Sequence, residues 1–123
     1  MKLLSICVPV YNRLKLFDRL LESIKTKNPL NIELVIINDG SSDNIYPLVK
    51  KFKKKNNKIK VKYIVQKNSG VAHAILKAYS NSSGKYCIKM DTDDVFVNKG
   101  IDLILNEINN KKKFSKQIKK FAV

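Results

Sequence analysis

Three carboxylates, Asp91, Asp93 and Asp94, fall within four residues directly after the apolar run Tyr86-Cys87-Ile88-Lys89-Met90. The chain carries 25 Lys+Arg against 10 Asp+Glu, so acidic residues are scarce and their gathering at one point calls for a reason. Closely spaced carboxylate oxygens suit a hard divalent cation such as Mg²⁺ or Mn²⁺. A cation held there would in turn hold a phosphate-bearing molecule. Asp91 and Asp93 are alternate residues that can approach one ion from the same side, while Asp94 is placed to orient them by hydrogen bonding. A helix N-cap cluster or a solvated acidic turn is the competing reading. An EF-hand is excluded, because the required glycine and distal glutamate are missing.

A second candidate is Asp39, in Asn38-Asp39-Gly40-Ser41-Ser42-Asp43. An aspartate at the tip of a strand can accept a hydrogen bond from a base N–H or a ribose hydroxyl; an ordinary turn aspartate is the alternative. Asn38 and Gly40 read as conformational rather than chemical, and Ser42 or Asp43 is placed to cap the helix that follows. The Gly70 loop lacks the spacing of a phosphate-cradling P-loop or a dinucleotide fingerprint. His73, the single histidine, lies in an Ala-rich helical stretch without a cysteine or second histidine. It reads as a helix-surface or packing residue, and a zinc site is excluded.

The elements that must position these residues alternate. Leu3 to Val10, Ile32 to Ile37, Ile59 to Val65 and Lys85 to Met90 are apolar runs of strand length. Between them, Leu16, Phe17, Leu20, Leu21 and Ile24 keep helical period, as do Ile45, Leu48, Val49 and Phe52, then Ala74, Ile75 and Ala78. Ile101 to Asn110 predicts one more helix. This order predicts an α/β fold with a mainly parallel sheet covered on both faces by helices. Ligands of such sheets collect beyond the carboxyl ends of the strands. Tyr11-Asn12, Asn38 to Asp43, Lys67 to Gly70 and Asp91 to Asp94 all follow strands and are therefore expected on one edge.

At 123 residues, 44% of them hydrophobic, the chain fits one domain with a modest core, and no apolar run approaches bilayer length. The N-terminal apolar run reads as a buried strand rather than a signal sequence, since Tyr11-Asn12-Arg13 ends it without a cleavage site. Cys7 and Cys87 sit in strand-like runs and are expected as buried free thiols in a reducing cytoplasm. Lysine supplies most of the +15 charge, in blocks from Lys50 to Lys62 and from Lys111 to Lys120. Compositional drift explains these blocks first, and peripheral contact with the acidic inner face of a membrane is the second reading. Nucleic acid ranks last, because the blocks lack arginine and each holds a single aromatic, Phe52 or Phe114, rather than an interleaved stacking series.

Taken in order, Val8-Pro9-Val10-Tyr11-Asn12, Ile37 to Asp43, Asn68-Ser69-Gly70 with Ala74, and Gly84-Lys85-Tyr86 leading to Asp91-Thr92-Asp93-Asp94 resemble the N-terminal half of a family 2 glycosyltransferase. The resemblance covers roughly residues 3 to 110. It implies a Rossmann-like GT-A fold, truncated, with a donor half-domain over residues 1–110 and a basic tail over 111–123. It implies a nucleotide-diphosphate sugar, most often a UDP-sugar, bound with Mg²⁺ or Mn²⁺ for transfer to an acceptor in glycan synthesis. By that resemblance Pro9, Val10, Tyr11 and Asn12 lie against the base, and Asp39, with Gly40 and Gly70 in the flanking loops, bonds the uracil ring. Asp91-Thr92-Asp93 takes the place of the DxD motif, with Asp91 near the ribose or sugar and Asp93 on the cation. Position 38 is Asn where many members carry Asp. After Asp94 only Asp102 and Glu107 remain as carboxylates, so no catalytic base or acceptor subsite is evident. A non-catalytic remnant that needs a partner chain or a second copy of itself is the alternative expectation.

Overall fold

The structure is a computed structural model that describes residues 2–110. Four strands, β1 (Leu4–Val10), β2 (Ile32–Asn38), β3 (Lys60–Val65) and β4 (Tyr86–Lys89), form one sheet in the order β3-β2-β1-β4, with every pairing parallel. Helices α1 (Leu14–Ser23), α2 (Tyr46–Lys55), α3 (Val71–Ser80) and α4 (Gly100–Asn109) alternate with them, and a single 3₁₀ turn at Pro29–Asn31 leads into β2. The expected fold class and all four strands are present, with ends shifted by a residue or so.

Every residue of β1 and β2 is buried, as their largely apolar runs, interrupted by Ser5 and Glu33, lead one to expect of central strands in a two-sided sheet. On one face Leu4, Ile6, Val8 and Val10 join Ile32, Leu34 and Ile36 under α1, α2 and α4, which contribute Phe17, Leu20, Val49, Phe52, Ile101 and Leu105. On the other, Cys7, Val35 and Ile37 pack against Ala74 and Ala78 of α3. Two alanines one turn apart let that helix approach the sheet closely.

Two expectations need correction. Cys87 is exposed, not buried; α3 covers β1 and β2 but leaves the edge strand β4 open on that face. Cys7 is buried, and burial pushes its thiol up to about 12. Ser42 and Asp43 also do not cap α2, whose N-cap is Ile45 and which starts with Pro47 in its first turn. The Asp43 backbone N–H and the Ser42 hydroxyl instead bond the Asn12 side chain.

The lysine block from Lys50 to Lys62 is partly committed to the fold. Lys51 and Lys55 pair with Asp18 and Glu22 of α1 at 3.1–3.6 Å, and Lys62 pairs with Glu33 at 3.2 Å. The block from Lys111 to Lys120 lies outside the described residues. No helix among the described residues is long and apolar enough to cross a membrane.

Glu33 is the unusual member of the core, a carboxylate in the middle of the sheet with no exposed surface. It accepts hydrogen bonds from the Ser5 hydroxyl (2.6 Å), from the backbone N–H and hydroxyl of Ser83, and from Lys62. It thus ties β1, β2, β3 and the turn into β4 together at the amino end of the sheet. Burial pushes its pKa up, but the bonds from Ser5, Ser83 and Lys62 outweigh that and hold it at about 2, against an ordinary 4.5. A depressed pKa contributes stability in full above 4.5, and that stability is lost as pH falls towards 2. Glu33→Gln is therefore expected to lower stability by about 3 kcal/mol at neutral pH. Urea unfolding measured between pH 6 and pH 3 should show the wild type converging on the variant as the pH drops.

Candidate donor site at the carboxyl edge of the sheet

Because all four strands are parallel, the residues that follow them emerge on one edge. Two of these loops are stitched together by Asp39, which is buried. One carboxylate oxygen accepts from the Gln66 amide (2.9 Å) and the Ser69 N–H (2.8 Å), and the other from the Gly70 N–H (3.0 Å). Burial raises its pKa, and these three donors with the nearby His73 more than reverse that, so it stays ionised below its ordinary value. Gly70, with φ 96° and ψ 162°, occupies backbone space open essentially to glycine alone, which aims its N–H at Asp39. Gly40 is required by proximity as well as by its φ of 73°, since a Cβ there would sit 2.6 Å from the Asn68 nitrogen.

The loop after β1 is held by Asn12. Its N–H donates to the Ser41 hydroxyl (2.8 Å), and its side-chain oxygen accepts from Ser42 and from the Asp43 N–H. Asn12 and Arg13 are consecutive residues in the left-handed region, with φ of 57° and 60°. The acidic loop closes on itself: the Asp94 N–H donates to the Asp91 carbonyl (3.0 Å), and the Asp94 carboxylate accepts from the Asp91 N–H (3.1 Å). This is the orienting role expected of Asp94. Arg19 of α1 donates to the Asp93 carbonyl at 3.1 Å, and Lys89 pairs with Asp91 at 3.1 Å.

Two cavities open along this edge. One of about 260 Å³ is lined by Pro9, Val10, Tyr11, Asp39, Asn68, Gly70, Val71 and Ala74. The other, of about 380 Å³, is lined by Pro9, Tyr11, Arg13, Val71, Asp91, Thr92 and Asp93. They share Pro9, Tyr11 and Val71 and so adjoin as a trough, with Asp39 lining one part and the acidic loop the other. Of the site residues expected from the sequence, Asn12, Gly40 and Asp94 do not line the trough; they make hydrogen bonds or close approaches within the loops around it. Arg13 and Val71 line it without having been anticipated. A further cavity of about 200 Å³ lies between α1 and α2, where Asp18, Glu22, Lys51 and Lys55 already pair with one another.

One oxygen from each of Asp91, Asp93 and Asp94 lies within 4.8 Å of the others. That all-oxygen, closely spaced donor set fits a hard divalent cation.

A model of glycosyl transferase family 2 matches residues 5–117. The chain belongs to that family. An uncharacterized glycosyltransferase of Rickettsia bellii is 39% identical over 108 residues, which cover 86% of this chain and 15% of that protein. Solved structures share its architecture. S. aureus TarS 1–349, solved in complex with UDP-GlcNAc, superposes with a TM-score of 0.76 at 27% identity, over 89% of this chain and 32% of that one. The mannosyltransferase PcManGT from Pyrobaculum calidifontis, solved with GDP-Man and Mn²⁺, gives a TM-score of 0.72 at 20% identity, over 78% of this chain and 29% of that one. The present chain thus spans about a third of those structures and a smaller share of the Rickettsia relative.

Asp39→Asn tests the stitching role directly. An amide offers one acceptor oxygen in place of two and turns an N–H₂ towards the Ser69 or Gly70 donors, leaving at least one part-buried N–H unmatched. The expected loss is about 2 kcal/mol, read as a lower urea midpoint with an unchanged slope.

Proposed function

We propose that this chain is the donor-binding part of a glycosyltransferase that takes a nucleotide-diphosphate sugar, a UDP-sugar first, with Mg²⁺ or Mn²⁺. The observation that carries this reading is the adjacency of the two cavities: a buried carboxylate lines one, an oxygen cluster the other, and Tyr11 lines both. Tyr11, 49% exposed, offers its ring to a base. Asp39 can accept one more hydrogen bond, because its second oxygen carries a single N–H while the first carries two. A base N–H such as that of uracil fits this vacancy. Asp91, Thr92 and Asp93 then fall at the diphosphate and sugar end, with Asp93 and Asp91 as cation ligands and Asp94 fixing the loop. The cation would supply positive charge where the departing nucleotide diphosphate accumulates negative charge. The TarS complex with UDP-GlcNAc and the PcManGT complex with GDP-Man and Mn²⁺ support the ligand class by similarity.

Among the described residues after Asp94, Asp102 accepts from the Thr26 hydroxyl and the Lys27 N–H, which lowers its pKa, so it is committed to holding α4 against the loop after α1. Glu107 lies exposed in the last turns of α4. Neither is placed as a base for an acceptor hydroxyl.

Calorimetry with UDP-GlcNAc and GDP-mannose, with and without Mn²⁺, tests the reading. Binding of one donor is expected to depend on the metal, and Asp93→Ala should weaken it by at least about tenfold, which is 1.4 kcal/mol. Absence of metal-dependent binding to either donor, or an unaffected Asp93→Ala, would overturn it.

A further inference from the structure

Among 25 basic residues only two are arginines, Arg13 and Arg19, and both stand at the acidic end of the trough. Everywhere else the chain uses lysine. Arg19 donates to the Asp93 carbonyl and so positions the acidic loop. Arg13 lines the larger cavity with Asp91, Thr92 and Asp93. Its guanidinium makes no hydrogen bond and no ion pair with any described residue, and Asp91, which lines the same cavity, is paired with Lys89 instead.

Local physics argues against an arginine at position 13. The residue is the N-cap of α1, where a short oxygen-bearing side chain is favoured, and it provides no side-chain cap. A cation there also opposes the positive end of the helix dipole. Its φ of 60° and ψ of 50° place it in a region where a long L side chain is strained, directly after Asn12 in the same region. Such conformations persist only where the surroundings over-determine them, as the Asn12 bonds to Ser41, Ser42 and Asp43 do here. Three local preferences are broken at one exposed residue beside the trough, and broken local rules concentrate at functional positions.

We propose that Arg13 is a phosphate clamp that acts independently of the metal, gripping the nucleotide's diphosphate in the cavity it lines together with the acidic loop. The planar fork of a guanidinium matches two phosphate oxygens at once, which the point charge of lysine does not. The proposal rests on the donor-binding reading and deepens it. Arg13 is what distinguishes a nucleoside diphosphate from a nucleoside, and it retains part of that preference when the cation is removed.

The test is calorimetry with UDP and uridine, in Mn²⁺ and in EDTA, on wild type, Arg13→Lys and Arg13→Asn. The wild type is expected to prefer UDP over uridine in EDTA by about tenfold, in keeping with charge-assisted bidentate bonding. Arg13→Asn should abolish that preference, weaken UDP in Mn²⁺ by a similar factor and leave uridine unchanged. It should also raise the melting temperature, because asparagine caps helices and tolerates the left-handed region. Better folding with poorer diphosphate binding is a combination that a purely structural arginine would not give. Arg13→Lys should fall between the two. Metal-dependent UDP binding that is identical in wild type and Arg13→Asn would overturn the clamp while leaving the donor site standing. Failure of the wild type to bind UDP in either buffer would overturn both.

Discussion

Parallel pairing of β1, with β2 on one side and β4 on the other, is the constraint from which the rest of this structure follows. It sends four chain segments out at one edge of the sheet, where Tyr11, Asp39, Gly70 and Asp93 meet although they are far apart in sequence. Antiparallel pairing of the same strands would divide these residues between two edges. The pairing is in turn specified by burial. β1 and β2 are apolar on both faces, so they are stable only at the centre of a sheet with helices above and below.

The scarce carboxylates mark the places where this arrangement is locked. Glu33 binds strands and turn at the amino edge, Asp39 joins two loops at the carboxyl edge, and Asp102 fastens α4 to the loop after α1. Each is held ionised by donors that more than offset the cost of taking it from water. Asp91, Asp93 and Asp94 differ in kind. They are more open, they touch one another through the Asp94 N–H to the Asp91 carbonyl and the Asp91 N–H to the Asp94 carboxylate, and their oxygens converge without the several donors that Glu33 and Asp39 possess. A cluster of like charges left in that state is suited to a cation rather than to structural work.

The edge itself trades stability for shape. Asn12 and Arg13 depart from favoured backbone space, Gly40 and Gly70 supply conformations that side chains resist, and α1 begins without a side-chain cap. These costs fall together around one trough, while the opposite end of the sheet is fully bonded. A rigid base with a strained rim is what a fold needs in order to present loops to a ligand without letting them collapse.

The sequence by itself determined the fold class, the order of the elements and most of the site. Burial on both faces is written into continuous apolar runs, helices into their period, and the ligand edge into the polar segments after each strand. Asp91 to Asp94 and Asp39 were legible because carboxylates are rare in a chain this basic. Only the tertiary structure decided which neighbours satisfy which groups. It committed Ser42 and Asp43 to Asn12 rather than to α2, left Cys87 open at an uncovered sheet edge, and spent Lys51, Lys55 and Lys62 on ion pairs. Each of these depends on contacts between segments that sequence periodicity does not encode. Arg13 lies between the two cases: its rarity as an arginine was visible in the chain, but its unpaired place beside the acidic loop required the folded edge.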